Sequence, residues 1–251
     1  MAIAGLLPKT ARFKLESNPS LKNFIISFIF QDPLNALNPL MKIGSQIKEA
    51  IKTKSNSINK KQLVLDLLDK LEISDSTKRY KQYPYELSGG MRQRILIAMA
   101  LARDPDILIA DEPATSLDVR IKYQIIEMLK KICLESDKAI IYITHDLDSV
   151  KGFADYITIM YAGKIVEWGR AESIYHNPKH PYTKNLIKLS QQYKNQEGRL
   201  EYIKGQPPLP ENFSEGCRFH PRCEVAIENC KLEDPKIKGT TEHWWKCPLN
   251  D

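Results

Sequence analysis

Long apolar runs are missing from this 251-residue sequence. Stretches such as Phe24-Ile-Ile-Ser-Phe-Ile-Phe30 fall far short of the roughly 18 residues that cross a membrane as a helix. No basic segment leads into a long apolar one at Met1, so no secretory signal is expected. Aromatics interleaved with basic residues are lacking too. The net charge of +6 is therefore read as a solvated, lysine-rich surface, and no nucleic-acid partner is expected. Between Lys42 and Lys81 ten basic residues meet five acidic ones, an excess that suits anionic headgroups or open solvent alike. Cysteine is scarce: Cys133 stands alone in a helical stretch, as a small buried hydrophobe would, and the other four crowd into the last 35 residues. What remains, 42% hydrophobic and 27% charged, is a globular composition able to bury one large domain with an appendage. A soluble, cytosolic chain that meets a membrane only through partners is expected.

Periodicity divides the chain. Met1 to Pro8 reads as a short apolar helical fragment without a cap, and Lys9 to Asn23 is polar and poorly patterned. Phe24 to Phe30 reads as a buried strand, followed by an Asn- and Pro-rich loop through Pro39. From Ile43 to Arg103 the period is helical, with Ile43, Ile47 and Ile51 on one face and Leu63, Leu67 and Leu71 on another. Ser88 offers a cap for a helix running to Arg103. Ile107 to Ala110 and Ala139 to Thr144 are continuous apolar runs, as parallel strands covered on both faces require. A helix from Val119 to Leu134 separates them. Tyr156 to Tyr161 and Lys164 to Trp168 flank Ala162-Gly163 as a β-hairpin. Beyond Gly169 the sequence turns Pro-, His- and Cys-rich, and a boundary is placed near residue 170.

The chemistry sits at the ends of these elements. In Leu87-Ser-Gly-Gly-Met-Arg-Gln-Arg94 two glycines follow a hydroxyl at a helix start, where bare backbone and free N–H groups let a phosphate approach closely. Asp111 and Glu112 end a predicted parallel strand, at the carboxyl edge where ligands of open α/β sheets gather. The first acid can hold a hydrated Mg2+ and the second can orient an attacking water. Pro113 to Val119 follows directly, and Thr144-His145-Asp146 comes one strand later. Absent is the Gly-x-x-x-x-Gly-Lys-Ser/Thr loop that cradles phosphates. The sole Gly-Lys pair, Gly163-Lys164, lies in the predicted hairpin and precedes Ile165.

This ordered set resembles the signature and Walker B motifs of the ABC ATPase family, over most of the chain. The resemblance implies an α/β, P-loop NTPase-like ABC nucleotide-binding domain that uses ATP and Mg2+. It implies that Gln31 is the Q-loop glutamine, touching metal and water. Ser88, Gly89 and Gly90 are then signature residues acting on the γ-phosphate held by an opposite subunit. Asp111 becomes the Walker B aspartate on Mg2+, Glu112 the catalytic glutamate, Asp118 the D-loop aspartate and His145 the switch histidine. Gly5-Leu-Leu-Pro8 resembles the end of the helix that follows the absent loop, so the domain is expected to be incomplete at its amino terminus.

The stretch Gln31-Asp-Pro-Leu-Asn-Ala-Leu-Asn-Pro39 resembles the extended Q-loop of oligopeptide and dipeptide importers. His180-Pro-Tyr-Thr183, Gly205-Gln-Pro-Pro-Leu-Pro210 and Gly216-Cys-Arg-Phe-His-Pro-Arg-Cys223 resemble the carboxyl-terminal extension of their ATPase subunits. The expected organisation is a nucleotide-binding domain over residues 1–170, its helical subdomain at about 36–104, and a Cys-rich extension over 171–251. Cys217, Cys223, Cys230 and Cys247 are separated by five, six and sixteen residues. A reducing cytosol argues against disulfides. The first gap exceeds the roughly two to four residues usual between zinc-binding cysteines, and four thiolates also suit an iron–sulfur centre. The resemblance implies a 4Fe-4S cluster; zinc and free thiols stay open. His220 and His243 read as polar bystanders.

As a whole the resemblance implies an ATPase subunit that energises peptide import. It would pair with a second, homologous ABC ATPase and dock on two transmembrane permease subunits at the cytoplasmic face of the inner membrane. It would serve an extracytoplasmic peptide-binding protein indirectly. Without the phosphate loop its own nucleotide site is expected to be crippled, while its signature can still complete a partner's. Three other readings follow from the same absence or from the family's breadth. One is a truncated or misassigned reading frame. Another is an ABC ATPase acting outside transport. The last is a fragment without a stable fold, because removing a central strand exposes sheet edges.

Overall fold

The computed structural model describes residues 24–52, 59–115, 117–136, 138–195 and 202–249. The expected helical fragment at Met1 to Pro8, with Gly5-Leu-Leu-Pro8, lies outside the described residues, as does Lys9 to Asn23. The chain divides into two compact units, Met1–His145 and Asp146–Asp251.

The first unit is built on a parallel sheet. β1 (Ile26–Ile29) leads through a one-turn helix α1 (Pro33–Ala36) into a helical stretch of α2 (Ile43–Ala50), α3 (Lys60–Lys70), α4 (Ser76–Tyr80) and α5 (Gly89–Leu101). Then come β2 (Ile107–Asp111), α6 (Val119–Ser136) and β3 (Ala139–Ile143). The strands run side by side in the order β1-β2-β3, with Phe28 opposite Ile109 and Ile109 opposite Ile141. Leu108, Ile109 and Ala110 of β2 are buried without alternation, because a central strand of a parallel sheet meets packing on both faces. Edge strand β3 differs: Ile140 and Tyr142 pack on the core while Ile141 and Ile143 are exposed.

The helices pack as their caps and stripes dictate. Asn59 caps α3 by accepting from Lys61 and Gln62 N–H, and Ser88 caps α5 by accepting from Met91 N–H. The predicted face Ile43, Ile47, Ile51 is buried. The predicted face of α3 is not quite the observed one: Val64, Leu68 and Leu71 are fully buried, whereas Leu63 and Leu67 pack at the core's margin. Both sets have helical spacing, and which one turns inward is decided by packing against α2, α4 and α5. Each fully buried Leu or Ile contributes about 1.5–3 kcal/mol. Cys133, expected to be buried, is half-buried.

The second unit holds an antiparallel sheet of order β4-β5-β7-β6, from β4 (Tyr156–Tyr161), β5 (Lys164–Arg170), β6 (Lys238–Gly239) and β7 (His243–Trp245). Between β5 and β6 lie α7 (Ala171–His176), α8 (Pro181–Asn195) and α9 (Asn229–Leu232). Ala162 (φ 47°) and Gly163 (φ 82°) make the two-residue turn of the expected hairpin, whose twist calls for two positive φ values. The hairpin belongs with the tail because β7 pairs with β5, Trp168 lying opposite Trp244. The compact units thus part at His145, whereas composition alone suggested a break near residue 170. Tyr156, Trp168 and Trp244 stack across the three strands at 5.2 and 6.4 Å. Phe219 is buried against the rings of Tyr161, Tyr182 and His180.

Candidate functional site

Three of the predicted residues meet at the carboxyl end of the parallel sheet. Gln31 follows β1, Glu112 follows β2 and His145 follows β3. Gln31 Nε2 donates to Glu112 Oε2 at 3.1 Å, and His145 Nδ1 lies 3.0 Å from Glu112 Oε1. The sheet does this by register: neighbouring parallel strands end side by side, so residues distant in sequence share one edge. For His145 to donate, its proton must sit on Nδ1, which leaves Nε2 free to face a ligand. Glu112 is held below the usual carboxylate range, chiefly by its hydrogen bond with His145. Partial burial opposes this, and bonding from Thr115 and the charge of His145 assist it.

Asp111, the last residue of β2, pairs with Ile143 beside this cluster. Gln31 spends its amide nitrogen on Glu112, so its oxygen is the atom left for a cation. A hard cation such as Mg2+ takes oxygen ligands and usually needs only one or two carboxylates beside phosphate oxygens. Asp111 and Gln31 fit that requirement. They form no closed metal cage, and among the described residues no group of three or more His, Cys, Asp or Glu is set to hold a metal ion.

A second group forms at the start of α5. Ser88, Gly89 and Gly90 line a cleft of about 530 Å3 that also receives Arg94, Asp118 and Glu72. The glycines serve packing as well as access. A Cβ on Gly90 would stand 2.8 Å from Ile121 Cγ2 and one on Gly89 3.5 Å from Leu117, so bare backbone lets α5 start against the start of α6. Asp118 caps α6 by accepting from Ile121 N–H at 3.0 Å. Arg94 is nine-tenths buried and donates to Leu71 O (2.7 Å) and Gln124 Oε1 (3.2 Å). Sequence reasoning missed Arg94 as a tie and Thr115 as a donor to Glu112. Thr115 could have been found, because Glu112-Pro113-Ala114-Thr115 has proline where a tight turn favours it.

In the second unit the four tail cysteines line one small cavity, with His180 and His220 beside them. Of the two histidines read as bystanders, His220 has its Nδ1 2.8 Å from Cys217 O, and His243 Nε2 lies 2.8 Å from the fully buried carboxylate of Glu167. Burial pushes the Cys217 and Cys223 thiols up, opposed by backbone groups at Phe219 and His220 near Cys217 and at Val225 near Cys223. The thiols line one cavity, yet among the described residues no group of three or more His, Cys, Asp or Glu is set to hold a metal ion. Burial also pushes His180 down to about 4, and its Nδ1 accepts from Tyr182 N–H at 3.1 Å, as a neutral imidazole does.

Comparison with known proteins follows the same two units. The family profile of ABC transporters matches residues 11–115, and that of the oligopeptide/dipeptide transporter C-terminal region matches residues 166–230. The dipeptide transport ATP-binding protein DppD of Escherichia coli (strain K12) is 43% identical over 231 residues, 90% of this chain and 71% of that protein. The oligopeptide transport ATP-binding protein OppD of Haemophilus influenzae is 43% identical over 214 residues, 84% of this chain and 66% of its own length. Among solved structures, an ATP-binding cassette dimer in a post-hydrolysis state bound to ADP and Pi superposes with a TM-score of 0.51 at 26% identity. That match covers 62% of this chain and 68% of the other.

Proposed function

Because the chain belongs to the ABC transporter family, among the ATP-binding proteins of dipeptide and oligopeptide transport, we propose that it is an ATP-hydrolysing subunit energising peptide import. The observation that carries this is the convergence of Gln31 and His145 on the Glu112 carboxylate at the sheet's carboxyl edge. An ionised Glu112 with two donors fixing it can accept a hydrogen bond from water and aim that water at a phosphorus atom. His145 Nε2 and the Gln31 amide oxygen, the atoms not spent on Glu112, are left to meet nucleotide and metal. Mg2+, held by Asp111 and Gln31, neutralises phosphate charge when it is bound.

The site's two halves do different work. Ser88, Gly89 and Gly90 present bare backbone and a helix N-terminus, which suit the γ-phosphate of a nucleotide held by a second, homologous ATPase. We propose that these 251 residues by themselves grip nucleotide weakly, since they contain no Gly-x-x-x-x-Gly-Lys-Ser/Thr loop. Charge-assisted hydrogen bonds contribute about 1.5–3 kcal/mol each, and about 1.4 kcal/mol is tenfold in affinity. A lysine and several amides together account for about three orders of magnitude. Turnover measured for the chain alone and mixed with a homologous ATPase tests this. The mixture should hydrolyse ATP, and Gly89→Asp in this chain should abolish the gain. Robust turnover by the chain alone at micromolar ATP overturns the assignment of a weak site.

The finer organisation belongs to the same proposal. Residues 1–170 act as the nucleotide-binding domain and 171–251 as an extension of the peptide-importer type. Two permease subunits and, indirectly, an extracytoplasmic binding protein complete the machine at the cytoplasmic face of the membrane. Among the described residues no helix is long and apolar enough to cross that membrane. Cys217, Cys223, Cys230 and Cys247 are the ligand set of a 4Fe-4S cluster. Support comes from donor chemistry alone: four thiols that line one small cavity.

A further inference from the structure

Glu167 of β5 is a fully buried carboxylate. An apolar side chain in its place would avoid the cost of desolvating it. It turns inward because β5 carries a bulge. Ile159 lies opposite Glu167 and Met160 opposite Ile165, which leaves Val166 as an extra residue. Strand alternation breaks there, so Val166 and Glu167 are both buried.

The bulge gathers two walls of the cysteine cavity. On one side, just before α8, Lys179 N–H donates to Glu167 Oε1 and His180 N–H to Oε2, each at 2.8 Å. On the other, His243 Nε2 of β7 lies 2.8 Å from Oε1, and Lys246 N–H donates to Val166 O at 2.8 Å. His180, Lys246 and the four cysteines all line the cavity. The cysteines reach it by different routes. Cys217, Cys223 and Cys230 come from one short segment, in which Cys217 N–H donates to Cys230 O at 2.8 Å. Cys247 arrives alone, two residues after β7, whose pairing with β5 runs from Glu167–Trp245 to Gly169–His243.

We propose that Glu167 is a positioning residue for the thiol site: its carboxylate ties β7 to the start of α8 and so keeps Cys247 with the other three cysteines. This rests on reading the four cysteines as one ligand set. Glu167 touches no metal in this assignment; it acts through Cys247. The β5–β7 pairing and the bond from Lys246 to Val166 persist without the carboxylate, so its removal loosens Cys247 and leaves it nearby.

The experiment reads each cysteine separately in the metal-loaded full chain, purified without oxygen. Iodoacetamide labelling is followed peptide by peptide by mass spectrometry in wild type, Glu167→Ala and Glu167→Gln, with thermal melts to show that each is folded. Bound metal protects the thiols it holds. In Glu167→Ala, Cys247 should be labelled about tenfold faster than in wild type, the change expected for one lost charge-assisted hydrogen bond. Cys217, Cys223 and Cys230 should keep their wild-type rates, and Glu167→Gln, with one acceptor oxygen left, should fall between. His243→Phe, which cuts the tie on the β7 side alone, takes the place of Glu167→Ala if that variant does not fold. A wild-type rate at Cys247, or equal acceleration at all four cysteines, overturns the proposal. Iron and sulfide analysis separates the two readings. Zinc in place of iron overturns the cluster alone, and the labelling still decides the role of Glu167; a wild-type chain that holds neither metal overturns both.

Discussion

Replacing Arg94 with methionine separates two contributions that are easily confused. The guanidinium donates to Leu71 O at 2.7 Å, to Gln124 Oε1 at 3.2 Å and to Glu72 Oε2 at 3.3 Å. The salt bridge to Glu72 looks important, but the Glu72 side chain is 71% exposed. Exposed ion pairs contribute about 0–1 kcal/mol. The Leu71 carbonyl is different, because it follows the last turn of α3 and has no further helical donor to accept from. Losing a charged donor there and at Gln124 should cost about 2–4 kcal/mol, reduced somewhat because a buried cation no longer has to be desolvated. Methionine keeps the apolar stem packed, so little cavity energy is added. Urea unfolding followed by far-UV circular dichroism reads this well, since α3, α5 and α6 lie in the first unit. Arg94→Met should lower stability by about 2–3 kcal/mol, Arg94→Lys by roughly half that, and Glu72→Ala by less than about 1 kcal/mol. Equal losses for Glu72→Ala and Arg94→Met would refute the reasoning, as would a negligible loss for Arg94→Met.

Three further outcomes are expected. Glu167 is fully buried and accepts from Lys179 and His180 N–H, each at 2.8 Å, with His243 Nε2 also at 2.8 Å. Glu167→Ala strands these donors and should cost about 3–5 kcal/mol by tryptophan-monitored unfolding; Glu167→Gln, which keeps one acceptor oxygen, should cost clearly less, and parity between the two would count against the arrangement. His180 has its folded pKa depressed to about 4 from 6.5, so the unfolded chain binds more protons between those values. Stability should therefore fall as pH drops from about 6.5 towards 4, by on the order of 3 kcal/mol at most, and His180→Asn should flatten that slope. Protein purified without oxygen should contain iron and acid-labile sulfide, and Cys230→Ser or chelation after reduction should remove both; stoichiometric zinc in their place would assign the thiols to a different ion.

How much of this was legible beforehand depends on the range of the interaction. Strand β2 was, because burial on both faces of a parallel sheet forces a continuous apolar run, which ends at Asp111; β3 shows the same run before His145 although its Ile141 and Ile143 face outward from the core. The start of α5 was, because a hydroxyl before two glycines states a cap locally. The inward face of α3 was ambiguous: Leu63, Leu67, Leu71 and Val64, Leu68, Leu71 satisfy the same period, and only neighbours choose between them. The pairing of β7 with β5 was invisible, since His243-Trp-Trp245 is too short to show alternation and its partner lies over 70 residues upstream. The gathering of four cysteines could be suspected from their crowding, but the backbone bond from Cys217 N–H to Cys230 O that draws two of them together is one no pattern of cysteines specifies.

Glu112 marks the boundary between the two kinds of information. Its identity and its place after an apolar strand can be read from the sequence. Its left-handed φ cannot, because glutamate is not a residue that favours that region. The conformation follows from tertiary contacts, Ile143 on one side and a turn anchored by Pro113 and Ala114 on the other. A strained residue at a strand end is where local propensity should fail if function selected the geometry. Replacing Glu112 with glycine should then relieve the backbone while removing the carboxylate, so that stability holds or rises as hydrolysis is lost. Substitution by alanine removes the same carboxylate but keeps the strain. A Gly variant no more stable than the Ala variant would mean that the left-handed conformation carries no cost, and that the turn alone, not a selected compromise, accounts for it.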